Sequence, residues 1–322
     1  MPLLKSTFFP TLPFRNSHFN TIYRAMFMKE NVTYSRKRIT TWDNDFIDLD
    51  FSLVGSKTLV ILIHGLEGSS QSKYILAATS ELNGEGFDTV AFNLRSCSGE
   101  DNLLLKTYHS GKTEDLHFVV NHILDKYDHD NIIIVGYSLG GNLTLKYMGE
   151  FAETQSHKIK CAIGISVPVD LASSSKEMSS FKNKVYMEGF LKSLRLKVLE
   201  KAHKFPEYKV DKNKLFKAKV FRDFDELYTA PVFGYLSPED YWSKASSKPY
   251  LSKIEKATLL INSDDDPFLP NKCYPIKEAK VSKKLYLEIT KYGGHVGFIS
   301  SFLAQENRWL ESRIINFIKQ NI

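Results

Sequence analysis

The stretch Asn131-Ile132-Ile133-Ile134-Val135-Gly136-Tyr137-Ser138-Leu139-Gly140-Gly141-Asn142 reads as a buried strand that turns at once into a helix, with a serine at the turn. Residues 131–135 are apolar without polar alternation, as expected of a parallel-sheet strand covered by helices on both faces. Leu139–Phe151 carries a helical pattern. Gly136 and Gly140 bracket the serine in the spacing G-x-S-x-G, whose glycines permit a sharp turn with the serine strained at its apex. Such a turn exposes the Ser138 hydroxyl at a helix N-terminus, where the dipole favours developing negative charge. Ser138 is the candidate nucleophile. The competing reading is a Gly-rich helix start with an idle serine, and the serine's partners decide between them.

A serine needs a base. Among nine histidines, His295 lies in Tyr292-Gly293-Gly294-His295-Val296-Gly297, a Gly-rich loop between an apolar run at 285–289 and the last helical pattern. Loops beyond strand ends carry chemistry in open α/β sheets. His109, His117, His122, His129, His157 and His203 sit in polar or helical surroundings and read as surface or structural. The base needs an acid to hold its tautomer and stabilise the imidazolium. Asp264-Asp265-Asp266-Pro267 follows the run 257–262. The order Ser138, Asp266, His295 is that of α/β hydrolases, with spacings of 128 and 29 residues. An acidic turn is the alternative. A metal site is disfavoured because no His or Cys at ligand spacing accompanies the carboxylates, so no metal and no cofactor is expected. The oxyanion requires two backbone N–H donors. Leu139 follows the nucleophile, and Leu66 lies in His64-Gly65-Leu66-Glu67-Gly68, whose glycines let backbone approach a carbonyl. His64 is expected to prop that loop by hydrogen bonding.

Outward from the site, short apolar runs alternate with amphipathic segments, the rhythm of βαβ units. Strands are expected at 58–63, 88–93, 131–135, 161–166, 257–262 and 285–289, with helices near 72–83, 113–127, 139–152 and 302–319. Residues 32–54 read as a hairpin. The expected class is α/β: a mostly parallel twisted sheet with helices on both faces. Residues 169–250 break the rhythm, with helix-like stretches around 178–203 and a Pro/Tyr/Trp-bearing loop at 228–242. They read as a cap inserted into a core formed by 1–168 and 251–322. Phe190, Tyr228, Phe233, Tyr235, Tyr241 and Trp242 are candidates to line an acyl pocket or, equally, to pack cap on core.

The chain has 322 residues, 43% hydrophobic and 25% charged, with a net charge of +6. This is an ordinary globular composition and no sign of nucleic-acid binding. The charge is uneven: residues 182–222 hold 13 Lys/Arg against 4 Asp/Glu. A solvated helical surface is the favoured reading; a face near anionic lipid or phosphate is the sharper one. Three scattered cysteines, Cys97, Cys161 and Cys273, form no disulfide framework and fit a reducing, cytoplasmic setting. The N-terminus lacks a signal-peptide pattern, and no apolar stretch reaches the ~18 residues needed to span a bilayer.

At these residues the chain resembles the YheT-like α/β hydrolases, which include bacterial YheT proteins, yeast medium-chain fatty-acid ethyl ester synthases/esterases and animal ABHD lipid hydrolases. The resemblance runs from Ser17-His18-Phe19-Asn20-Thr21-Ile22 through Asp45–Phe51, His64–Ser70, Asn93–Gly99, Gly136–Asn142, Thr229-Ala230-Pro231, Asp240-Tyr241-Trp242 and Asp265–Phe268 to Gly293–Phe298. It departs at Phe19-Asn20, where Leu-Gln is usual, and at Ala257, where Pro is common. It implies the α/β-hydrolase fold, a Ser138/Asp266/His295 triad and a small-molecule ester substrate of short- to medium-chain acyl or lipid type. Counting back from Pro270 favours Asp266 over Asp265. Unlike the animal relatives, the chain shows no N-terminal anchor, which implies a soluble bacterial-type member. Two other readings stand beside the esterase. Acyl transfer to an alcohol would use the same residues, although no histidine begins an HxxxxD motif. A non-catalytic lipid-binding protein on a hydrolase fold is the other.

Overall fold

The computed structural model describes residues 3–28, 30–303 and 306–322. Among them nine strands form one sheet: β1 (Leu3–Lys5), β2 (Ser35–Thr40), β3 (Phe46–Ser52), β4 (Thr58–Ile63), β5 (Asp88–Asn93), β6 (Asn131–Tyr137), β7 (Ile159–Ile165), β8 (Ala257–Ser263) and β9 (Leu285–Thr290). Their order is β1-β9-β8-β7-β6-β4-β5-β3-β2. The pairs β2/β3 and β3/β5 are antiparallel, and the others are parallel. The expected hairpin is β2/β3. The edge strand β1 went unread in the sequence, being three residues long.

The central strands lack polar alternation because both faces are covered. In β6, Ile132 and Ile134 join one buried cluster while Ile133 and Val135 join the other. The first cluster takes in α3 (Thr113–Lys126) and α4 (Leu139–Glu150). The second takes in α2 (Lys73–Gly84) and α11 (Trp309–Lys319). The sequence pattern placed the last helix near 302–319; residues 304 and 305 lie outside those described, and the helix begins at Trp309. An early helix, α1 (Ser17–Phe27), was not expected.

Between β7 and β8 lie α5 (Leu171–Met178), α6 (Lys184–Lys204), α7 (Lys212–Lys217), α8 (Phe221–Phe224), a π-helical turn (Asp225–Thr229), α9 (Ala230–Phe233) and α10 (Pro238–Ala245). The loop expected at 228–242 is thus mostly helical. Pro231 and Pro238 stand in the first turn of their helices, where a missing N–H costs nothing. Ser237 caps α10 by accepting from Asp240 N–H at 3.1 Å. These elements have their own apolar centre, including Met187, Leu191, Val198 and Phe224, which reaches Phe268 beside the site. Lys201 Nζ ties α6 to the Asn102 and Leu104 carbonyls at 2.7 and 2.6 Å.

The order of the chain through the sheet reverses at β4. β5 lies on one side of β4 and β6 on the other. The loops after β4 and β6 therefore meet at a topological switch point, where α/β sheets leave a crevice at the strands' carboxyl ends.

Candidate active site

Ser138 sits between β6 and α4 with φ 53° and ψ −116°. A non-glycine residue held there costs on the order of 1–3 kcal/mol. The surroundings impose it. Ser138 N–H donates to Ile165 O at 2.8 Å, and Asn142 N–H donates to Ser138 O at 3.0 Å. A Cβ at Gly136 would strike the Gly140 carbonyl, and one at Gly140 would strike the Ile63 carbonyl.

The structure brings the three sequence-predicted residues together. His295 Nε2 lies 2.8 Å from Ser138 Oγ. His295 Nδ1 lies 2.8 Å from Asp266 Oδ2 and 3.1 Å from Oδ1. The Asp266 side chain is fully buried, that of His295 nearly so. Asp266 also accepts from Phe268 N–H at 2.9 Å. Asp265 points elsewhere: its Oδ1 accepts from Gly294 N–H at 2.9 Å, holding the histidine loop, and burial raises its pKa.

Leu139 is the first residue of α4, so its N–H has no intrahelical acceptor. Leu66 lies in the turn after β4, and Gly65 packs on Ser138 closely enough that a Cβ there would stand 3.2 Å from Ser138 Cβ. His64 props this loop as expected. It accepts from Leu94 N–H through Nε2 at 3.1 Å and donates from Nδ1 to Gly65 O at 2.7 Å. Burial pulls its pKa down to about 4, which keeps Nε2 a free acceptor.

Two sets of positioning groups were missed in the sequence. The first is α1. His295 N–H donates to Thr21 Oγ1 at 2.8 Å, Asn20 bonds Ile299 in both directions at 3.0 Å, and Arg24 Nη1 donates to Gly297 O at 3.2 Å. Gly294 has φ +58°, and a Cβ there would run into Ser17 O. The segment 17–22 was legible as a family feature but not as a clamp on a loop more than 270 residues away. The second is Glu67, beside Leu66. Its Oε1 accepts from Tyr108 OH at 2.6 Å and from Lys197 Nζ of α6 at 2.7 Å, and Ser193 of α6 bonds its other oxygen. The loop next to the serine is thereby fastened to α6.

A cavity of about 450 Å³ opens on Ser138 and His295. Its walls are mostly apolar, with Met178, Phe190, Val198, Phe224 and Phe268 prominent. Of the six aromatic candidates, Phe190, Tyr228, Tyr241 and Trp242 line it. Phe233 and Tyr235 pack edge-on to His109 instead. His109 is itself buried in the wall, and burial pulls its pKa down to about 3. One wall group, Asp225, is a buried acid on the π-helical turn; it accepts from Trp242 Nε1 at 2.8 Å, and burial pushes its pKa up to about 7.

A strained serine between a parallel strand and a helix, within reach of a histidine that touches a buried carboxylate, defines an α/β hydrolase. Residues 58–302 match the family described as alpha/beta hydrolase fold. The chain is 32% identical to Escherichia coli YheT over 97% of this chain and 92% of that protein. It is 29% identical to the Homo sapiens protein named phospholipase ABHD3, over 99% of this chain and 80% of that one. The solved Pyrococcus furiosus esterase Pf2001 shares the fold with a TM-score of 0.60 at 20% identity, over 89% of this chain and 91% of that chain. The chain belongs to the alpha/beta hydrolase fold family and, within it, to the YheT-like group, and it is an enzyme of the ester-hydrolase class.

Proposed function

We propose that Ser138, His295 and Asp266 are the nucleophile, base and orienting acid of this carboxylic ester hydrolase, acting through an acyl-enzyme. The observation that carries this is the unbroken chain Ser138 Oγ–His295–Asp266, each contact 2.8 Å, built around a serine at φ 53°. Ser138 Oγ attacks the ester carbonyl while His295 Nε2 takes its proton. Asp266 fixes the Nδ1–H tautomer and stabilises the imidazolium. The N–H groups of Leu66 and Leu139 hold the oxyanion, aided by the N-terminus of α4. His295 protonates the departing alcohol and then activates water to release the acid. The apolar cavity favours short- to medium-chain acyl or lipid esters, and residues 169–250 serve as the cap that shields the acyl chain from water.

The test is labelling by a fluorophosphonate probe, comparing wild type, Ser138→Ala and His295→Ala, with a p-nitrophenyl ester chain-length series alongside. Wild type labels and turns over; both variants do neither. A wild type that neither labels nor hydrolyses any ester in the series sinks the proposal. Added short alcohols diverting the product to a new ester would identify transfer by the same acyl-enzyme.

A further inference from the structure

In α1 the ordinary amphipathic arrangement is inverted. Ser17, Asn20, Thr21 and Arg24 recur at the i, i+3, i+4, i+7 spacing of one helical face. That polar face turns inward, where Asn20 and Arg24 are buried, because it holds the histidine loop. The opposite face repeats the spacing with Phe19, Ile22, Tyr23 and Met26; Phe19 and Tyr23 pack partly on Phe14 and Phe302, and Ile22 and Met26 turn outward. Ile22 is 41% and Met26 66% exposed. A surface helix normally hides such a stripe, and a contiguous exposed apolar patch marks a contact site.

This face borders the cavity. Ile22 both lines the cavity and stays exposed, so it stands at the rim. Beside Phe19, His18 Nδ1 meets Tyr186 OH of α6 at 3.1 Å. Just ahead of Tyr186 in the chain, Phe181 is 90% and Val185 84% exposed. Lys184 and Lys192 are exposed nearby and, among the described residues, make no ion pair, whereas Arg195 and Lys197 are taken by Glu188 and Glu67. α1 contains no acidic residue, and 182–222 carries 13 Lys/Arg against 4 Asp/Glu. Apolar side chains flanked by unpaired ammonium groups complement one kind of surface: anionic headgroups over acyl chains.

We propose that the outer face of α1, with Phe181, Val185 and the adjoining lysines of α6, docks on an anionic phospholipid bilayer and seats the cavity mouth against it. An acyl ester then passes from the lipid toward Ser138 without crossing bulk water. The purpose of the surface rests on the esterase reading; the docking itself does not.

The two are separated by measuring docking in the Ser138→Ala protein and catalysis on a soluble p-nitrophenyl ester. Co-sedimentation uses vesicles of phosphatidylcholine alone and of phosphatidylcholine and phosphatidylglycerol in equal parts. Ser138→Ala binds the mixed vesicles, and added salt weakens the binding. Adding Lys184→Glu lowers partitioning roughly tenfold. Adding Met26→Ser with Phe181→Ser lowers it by at least as much. In the Ser138-containing background these substitutions leave soluble-ester turnover intact, since none of the three residues lines the cavity. Absence of vesicle binding, or equal binding to both vesicle types unaffected by Lys184→Glu, overturns the proposal. So does a dimer in light scattering that Met26→Ser/Phe181→Ser converts to monomer, which would assign the face to a second copy of the chain. Vesicle binding without soluble-ester turnover by wild type would count against the site reading alone.

Discussion

The backbone N–H of His295 donates to Thr21 Oγ1 at 2.8 Å, and Thr21 Oγ1 donates in turn to Ser17 O at 2.8 Å. The candidate base is thus held through its backbone from the opposite end of the chain, by a helix that leaves both imidazole nitrogens to Ser138 and Asp266. Thr21→Val leaves the histidine N–H without its acceptor, a loss of about 1–3 kcal/mol for a buried donor. We expect a lower melting temperature and a kcat reduced by roughly tenfold, both restored by Thr21→Ser. A valine variant as active and stable as wild type would show that α1 does not position the base.

The two neighbouring carboxylates have different tasks. Asp266→Asn removes the partner of His295 Nδ1 and should lower kcat by about 10⁴, as expected when the histidine tautomer is lost. Asp265→Asn disturbs the Gly294 contact and leaves the His295 hydrogen bond in place, so it should cost far less. Steady-state kinetics on a soluble ester decides; equal losses would refute the division.

Glu67 links the loop carrying Leu66 to α6. Lys197→Met or Glu67→Gln loosens that loop, and the effect belongs in kcat with little change in KM, because the oxyanion forms after binding. The loss should lie below the about 10²–10³ of an oxyanion donor removed outright. Lys197→Arg should recover part of it. A change confined to KM would assign Glu67 and Lys197 to substrate binding.

Two buried groups give opposite pH dependence to stability. The folded pKa of His64 is about 4, below its ordinary value of 6.5, so the unfolded chain binds the proton more readily. Its contribution is full above the unfolded pKa and is lost as pH falls from about 6.5 to about 4, on the order of 3 kcal/mol. Asp225 is raised from 3.8 to about 7, so its contribution is present at low pH and is lost as pH rises across that window. Urea unfolding should therefore show Asp225→Asn more stable than wild type near about pH 8 and the difference vanishing toward about pH 4. A constant difference across pH would place the Asp225 carboxylate in a more solvated setting.

Gly294 combines φ +58° with close contact to Ser17 O, so no side chain fits without moving α1 or the loop. Gly294→Ala should destabilise the fold by a few kcal/mol and abolish turnover in whatever remains folded. Gly86, also at positive φ but with open space around it, serves as the control. Gly86→Ala should cost only about 1 kcal/mol, seen as a small melting shift with full activity.

The sequence alone determined what is local or written in spacing. Ile132–Val135 running into Gly136-Tyr137-Ser138-Leu139-Gly140 is strand, turn and helix within one short stretch, so its geometry follows from steric rules on the glycines and the apolar run. The order of Ser138, Asp266 and His295, and the propping role of His64, were legible because each sits in a loop directly after a strand. Tertiary structure decided the rest. The task of the second carboxylate, Asp265, which holds Gly294 of the histidine loop, depends on how the turn after β8 aims its side chain. The roles of Thr21, Asn20 and Arg24 depend on pairings across more than 270 residues, which carry no periodic signal. The inverted helix α1 is the clearest case: its pattern is ordinary on paper, and only its packing against the histidine loop turns the polar face in and the apolar face out.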